Sequence, residues 1–162
     1  MAELTNLEDK LGEVIGLAQA AQGATQKIGK LVEDSELTQV LDRMRSEADE
    51  TEERGTQLAS KIEGKKTAIL DKARSTKNKA EEMMDAYIDD EADGFDGFEF
   101  LTMAEAGEVG HWKVLKQMAD GTSHTEISQL ADWGIPIQER HFQEAQDGCL
   151  KLAAEEDPDE TE

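Results

Sequence analysis

The stretch LTNLEDKLGEVIGLAQAAQGATQKIGKLV, residues 4–32, decides the fold class. Leu4, Leu7, Leu11, Val14, Ala18, Ala21, Thr25, Ile28 and Val32 recur at alternating intervals of three and four, which lays them along one side of a helix. A helix this long with a single apolar stripe needs partners of similar length to cover it. Asp34 or Ser35 reads as a cap after a short turn. Leu37, Val40, Leu41, Met44, Ala48, Thr51, Gly55, Leu58 and Ile62 then trace a second stripe, closed by Gly64. So short a connection sets the two helices antiparallel.

The remainder is of the same kind. Prolines occur only at Pro136 and Pro158, and Ala, Glu, Lys, Gln, Leu and Met dominate. These are good helix formers, while β-branched and aromatic residues are too sparse to build a sheet, so the fold class is all-α. A third long helix starts near Asp96, with Phe98, Leu101, Glu105, Glu108, Trp112, Leu115 and Ala119 on one face and Gly121 at its end. A fourth region runs from Ser123 to about Glu155 on the stripe Ile127, Leu130, Ala131, Gly134, Gln138, His141, Ala145, Gly148, Cys149 and Leu152. Pro136 either kinks this helix or begins a second, longer one. The sum is one domain over residues 1–155, an antiparallel four-helix bundle with a long helix 2–helix 3 crossover. A short extra helix over Ala80–Ile88 is expected in that crossover, with Met83, Met84 and Tyr87 inward, and residues 156–162 form an acidic tail expected to be disordered.

Charge and length narrow the function. The 162 residues carry 17 Lys+Arg against 38 Asp+Glu, a formal charge of −21, which argues against nucleic acid and anionic membrane as partners. No apolar run approaches a membrane span, the N-terminus lacks the pattern of a signal peptide, and the single Cys149 suits a reducing cytoplasm. Lys61, Lys65, Lys66, Lys72, Arg74, Lys77 and Lys79 form a basic segment before an acidic one at 81–93. It reads either as a solvated helix complementing acidic neighbours or as a docking patch for an acidic partner.

Polar residues on inner faces are the informative ones, since a bundle core should be apolar. At 100° per residue Glu105 and Glu108 both fall within about 30° of the centre of the third helix's buried face. Two carboxylates there cannot both stay ionised without a cation or several donors. On the fourth helix Gln138 and His141 lie in the middle of the stripe. Carboxylates on one helix and an imidazole on the next are how a bundle holds a divalent metal, and also how it builds a structural ion pair. His111 and Glu144 lie about 90° off their faces, Glu47 and Glu52 flank the second stripe, and His124 falls near a helix start.

The segment MAEAGEVGHW resembles the third-helix E-x-x-E of rubrerythrins, and IQERHF resembles the start of their fourth-helix E-x-x-H. With SEADETEERGTQLA and GKK, the chain is similar over residues 4–155 to the ferritin-like superfamily and its bacterial stress-response bundles. That resemblance implies iron or manganese held by Glu105, Glu108 and His141, with Gln138 standing where the family has a glutamate. The second helix departs from the pattern, having no E-x-x-H and an arginine at position 54.

Two functions follow. One is a metal protein of the bacterial cytosol in iron handling or oxidative-stress protection, a metal-dependent oxidase or peroxidase if an enzyme at all, with Trp112 and Tyr87 as nearby oxidisable residues. The other is a metal-free bundle acting as a stress or interaction protein. A homo-oligomer, with a dimer as the simplest form, fits a face of Phe100, Met103, Val114, Met118, Phe142 and Leu150, residues that would equally pack under the crossover.

Overall fold

The computed structural model describes residues 2–161, which form five helices and no strand. They are α1 (Asn6–Gly29), α2 (Ser35–Lys61), α3 (Lys66–Tyr87), α4 (Gly94–Asp120) and α5 (Thr125–Ala153). Of the tail, residues 156–161 are exposed and Glu162 lies outside the described residues, as does Met1.

Local chemistry sets most helix starts. The Glu8 amide donates to Thr5 Oγ1 at 3.2 Å and the Thr5 amide returns a bond to Glu8 Oε2 at 2.8 Å, a reciprocal box at the head of α1. Glu8 is buried in this box. Asp34 caps α2 by accepting from the amides of Glu36 and Leu37, and Asp93 caps α4 reciprocally with Asp96. After α2 the chain turns through Gly64, whose φ of 71° only glycine adopts without strain.

Helix α1 packs against α2, α3 and α4, and α5 packs against α4 and α2. So α1, α2, α5 and α4 touch in a closed ring, and α3 lies chiefly against α1. Neighbours in the ring are antiparallel. Ile15 meets Gly55 while Gly29 meets Leu41, Ile28 meets Gly97 while Glu13 meets His111, and Trp112 meets Gly134 while Phe98 meets Gly148. Every residue predicted for the inner face of α4 is buried, as are those of α5 from Ile127 to Gly148 except that Cys149 and Leu152 beyond them are half-buried.

The connection between α2 and α4 differs from expectation. Instead of a short helix at Ala80–Ile88 it is the 22-residue α3, beginning at Lys66. It runs parallel to α1, with Ile69 and Lys72 at Gly12 and Asp85 at Lys27. A Cβ at Gly12 would lie 2.9 Å from the Ile69 carbonyl oxygen, and one at Gly16 would strike the Ala73 carbonyl, so these glycines let α3 approach closely. Its inner stripe (Ala68, Ile69, Ala73, Met84) is narrow because one helix covers most of it, and that thinness hid it in the sequence. Met84 is buried as expected, but Met83 and Tyr87 are exposed. The basic segment is largely absorbed at home: Lys72 pairs with Asp9 and Glu13, Lys65 with Glu8, Lys61 with Glu126 and Lys77 with Glu81.

Pro136 lies inside one continuous α5. Lacking an N–H, it leaves the Asp132 carbonyl without its helical donor. Of the proposed outer face, Phe100 is buried, with its ring centroid 6.0 Å from that of Tyr87, while Met103, Val114 and Leu150 are exposed.

Candidate functional site

Two apolar clusters fill the interior. One gathers Leu11, Ile15, Ile69, Trp112, Leu115 and Ile127; the other gathers Ile28, Leu41, Met44, Phe98, Leu101 and Ala145. Between them along α4 and α5 sit Glu105, Glu108, Gln138 and His141, with relative exposures of 1, 5, 1 and 2 %. The structure thus brings the four predicted residues together in a polar layer.

Their partners form a chain leading outward. With its carboxamide nitrogen turned toward the acids, Gln138 donates to Glu105 Oε2 at 3.1 Å and to Glu108 Oε2 at 3.3 Å. His141 Nδ1 lies 3.8 Å from Glu105 Oε2, too far for a direct bond, and its Nε2 lies 3.4 Å from Glu47 Oε1. Arg140 grips Glu47 with both terminal nitrogens, Nη1 at 2.9 Å from Oε1 and Nη2 against Oε2. Arg43 pairs with Glu144 and lies 3.7 Å from Glu47. Two arginines and two glutamates from α2 and α5 therefore close the layer on one side.

The electrostatics follow from this geometry. Burial, reinforced by the neighbouring Glu108 and Glu144, holds the Glu105 carboxyl well above the usual carboxylate range, and burial pushes Glu108 up to about 8. Glu108 therefore favours the protonated form at neutral pH, and the ionisation of Glu105 is disfavoured in the same way. Glu47 is pulled down, chiefly by its hydrogen bond from Arg140, and burial lowers the His141 imidazole against the opposing pull of Glu47. The layer thus runs from inner acids whose ionisation burial disfavours, to an imidazole whose protonation burial disfavours, and then to a paired Arg140–Glu47.

Arg43 and Arg140 were not candidates from the sequence, and Glu47 and Glu144 were only marginal ones. Their signal is the repeated R-x-x-x-E of Arg43–Glu47 and Arg140–Glu144, one on each of two facing helices. His111 and His124 are exposed, His111 lying 3.7 Å from Glu13 and His124 standing before α5, and neither joins the layer.

The donor types, carboxylate oxygen and imidazole nitrogen, are those of an iron or manganese site. Their arrangement is not. Among the described residues no three His, Cys, Asp or Glu side chains converge to hold a metal ion, a carboxamide stands between Glu105 and Glu108, and arginines already neutralise Glu47 and Glu144. The residues as arranged do not fit a preassembled di-metal centre.

On the opposite side of the acids an apolar cleft of about 180 Å³ opens between α1, α3 and α4. Ala20, Ala24, Met84, Phe100 and Ala104 line it, Met83 and Met103 stand at it, and Glu105 and Glu108 also line it. It exists because α3 and α4 meet only sparsely. No helix among the described residues is long and apolar enough to cross a membrane.

Comparison with known proteins adds the fold alone. No protein-family model matches the chain, and no curated protein matches it in sequence. Among solved structures it is similar to "YcfI, a putative structural protein from Rhodopseudomonas palustris", with a TM-score of 0.66 and 17 % identity over 86 % of this chain and 90 % of that one.

Proposed function

We propose that this chain is a ferritin-like four-helix bundle of α1, α2, α4 and α5, with α3 as its crossover helix, working as a metal-free binding protein rather than an oxidase. The ring of antiparallel neighbours and the lengthwise course of α3 support the ferritin-like reading. One observation carries the metal-free reading. The positive charge that a bundle of this type would take from metal is supplied at Glu47 and Glu144 by Arg140 and Arg43, and the inner acids share the Gln138 carboxamide. A lone cysteine and the lack of a membrane-spanning helix among the described residues support a cytoplasmic site of action.

A second reading has one observation in its favour: no lysine or arginine pairs with Glu105 or Glu108 among the described residues, so a cation would be matched there. On this reading Glu105, Glu108 and His141, with Gln138 beside them, hold one iron or manganese ion. The metal would supply redox chemistry for iron handling or protection against oxidants.

Metal analysis separates the two. Protein from cells supplied with iron and manganese, purified without chelator, is expected to carry far less than one equivalent of either and to melt at the same temperature with and without EDTA. Near-stoichiometric metal that both Glu108→Ala and His141→Ala abolish would establish the second reading instead.

A further inference from the structure

We propose that the cleft between α1, α3 and α4 is a binding site for a small organic ammonium ion with an apolar body. The walls and the floor make different demands. Alanines, methionines and Phe100 on the walls offer nothing polar to a ligand, so its body must be hydrocarbon. Four polar residues line the cleft; Glu81 is half-buried and His111 exposed, whereas Glu105 and Glu108 are each more than nine-tenths buried, and among the described residues Gln138 alone hydrogen-bonds either carboxyl. Each carboxyl therefore keeps acceptor capacity for a donor arriving through the cleft.

Charge selects the ligand class. Lining residues include Glu81, Glu105 and Glu108 but no lysine or arginine, and the one histidine, His111, is exposed, so an anionic head at the buried acids would find no cationic partner. An ammonium group arriving there would displace the proton of one carboxyl to solvent and pair with the carboxylate so formed, in a water-poor setting where a charge-assisted hydrogen bond is strongest. The formal charge of −21 also raises the local concentration of organic cations. At about 180 Å³ the cleft compares with the ~150 Å³ engineered cavity that takes benzene, which sets the ligand at roughly six to nine heavy atoms. The inference rests on the metal-free reading, because metal at the two acids would occupy the acceptors the ammonium group needs.

The test is isothermal titration of hexylamine hydrochloride into the full chain at neutral pH, both as purified and after chelator treatment and dialysis. Hexan-1-ol and hexanoate serve as probes of equal length. Saturable binding of one hexylammonium per chain is expected, with the alcohol and the acid at least about tenfold weaker. Glu108→Gln should weaken hexylammonium by about tenfold or more. Gly107→Leu is the second variant. Gly107 lines the cleft and a Cβ there meets nothing within 4 Å, so the larger side chain fills the space without disturbing the fold. It should abolish binding while keeping the helical circular dichroism of the wild type. Hexan-1-ol binding as tightly as hexylammonium, binding that survives either substitution, or no saturable heat with the chelator-treated protein would overturn the proposal. Binding by the chelator-treated protein but not by metal-bearing protein as purified would uphold the cleft site and overturn the metal-free reading instead.

Discussion

The six-membered ring of Trp112 lies where the side chain of residue 134 would be: a Cβ on Gly134 would stand 2.6 Å from its Cζ3 and 2.8 Å from its Cη2. Trp112 is among the largest fully buried side chains, and α4 and α5 close on each other at this point because position 134 is bare. Gly134→Ala should therefore destabilise the fold by about 1–3 kcal/mol, although alanine is the better helix former. Urea unfolding checks this, and an unchanged midpoint would show that the two helices can part at no cost.

The buried acids make stability depend on pH. Glu108 has its pKa raised from 4.5 to about 8 on folding, so the native state holds a proton that the unfolded chain releases earlier. That contribution is complete below the ordinary carboxylate range and is lost as pH rises through about 8. The wild type should lose on the order of a few kcal/mol between about pH 5 and about pH 9 from this source. Glu108→Gln, which keeps the shape and cannot ionise, should lose less over the same range. Parallel denaturation curves for the two proteins at every pH would refute the assignment.

Arg140 should matter more than a surface arginine does. Its removal leaves Glu47, mostly buried, without its bidentate partner and takes a positive charge from beside His141. Arg140→Ala is expected to cost about 1–2 kcal/mol. It should also raise the His141 pKa, since Arg140 is one of the groups holding it down. An NMR titration of the imidazole reads the second effect, and Glu47→Gln on the Arg140→Ala background should recover part of the first.

Cys149 is half-buried on α5, and burial pushes its thiol above the ordinary range. Alkylation by iodoacetamide near pH 8 should therefore run about tenfold more slowly than in the urea-unfolded chain. Equal rates in the two states would place the thiol in solvent.

Much of this was legible from helical spacing. The inner faces of α1, α2, α4 and α5 follow from the three-and-four recurrence of Leu, Ala and Ile, and the same arithmetic located Glu105, Glu108, Gln138 and His141. Two things escaped it. Helix α3 buries little beyond Ala68, Ile69, Ala73 and Met84, so its stripe is too thin to stand out against the charge reversal near residue 80. Glu47 and Glu144 flank their stripes, and what brings them to the layer is arginine on the facing helix, a relation between α2 and α5 that periodicity within one helix does not contain.

The polar layer between the two apolar clusters also acts as an axial ruler. Sliding α4 or α5 by one turn, about 5.4 Å, would carry Glu105 or His141 into a cluster of leucines and aromatics and leave the Gln138 carboxamide without acceptors. Leucine and alanine would tolerate such a slip, since one apolar turn packs much like the next. A handful of buried polar atoms thus forbids misaligned packings that the hydrophobic pattern alone would admit, and the helices are indexed against one another before any ligand or partner arrives.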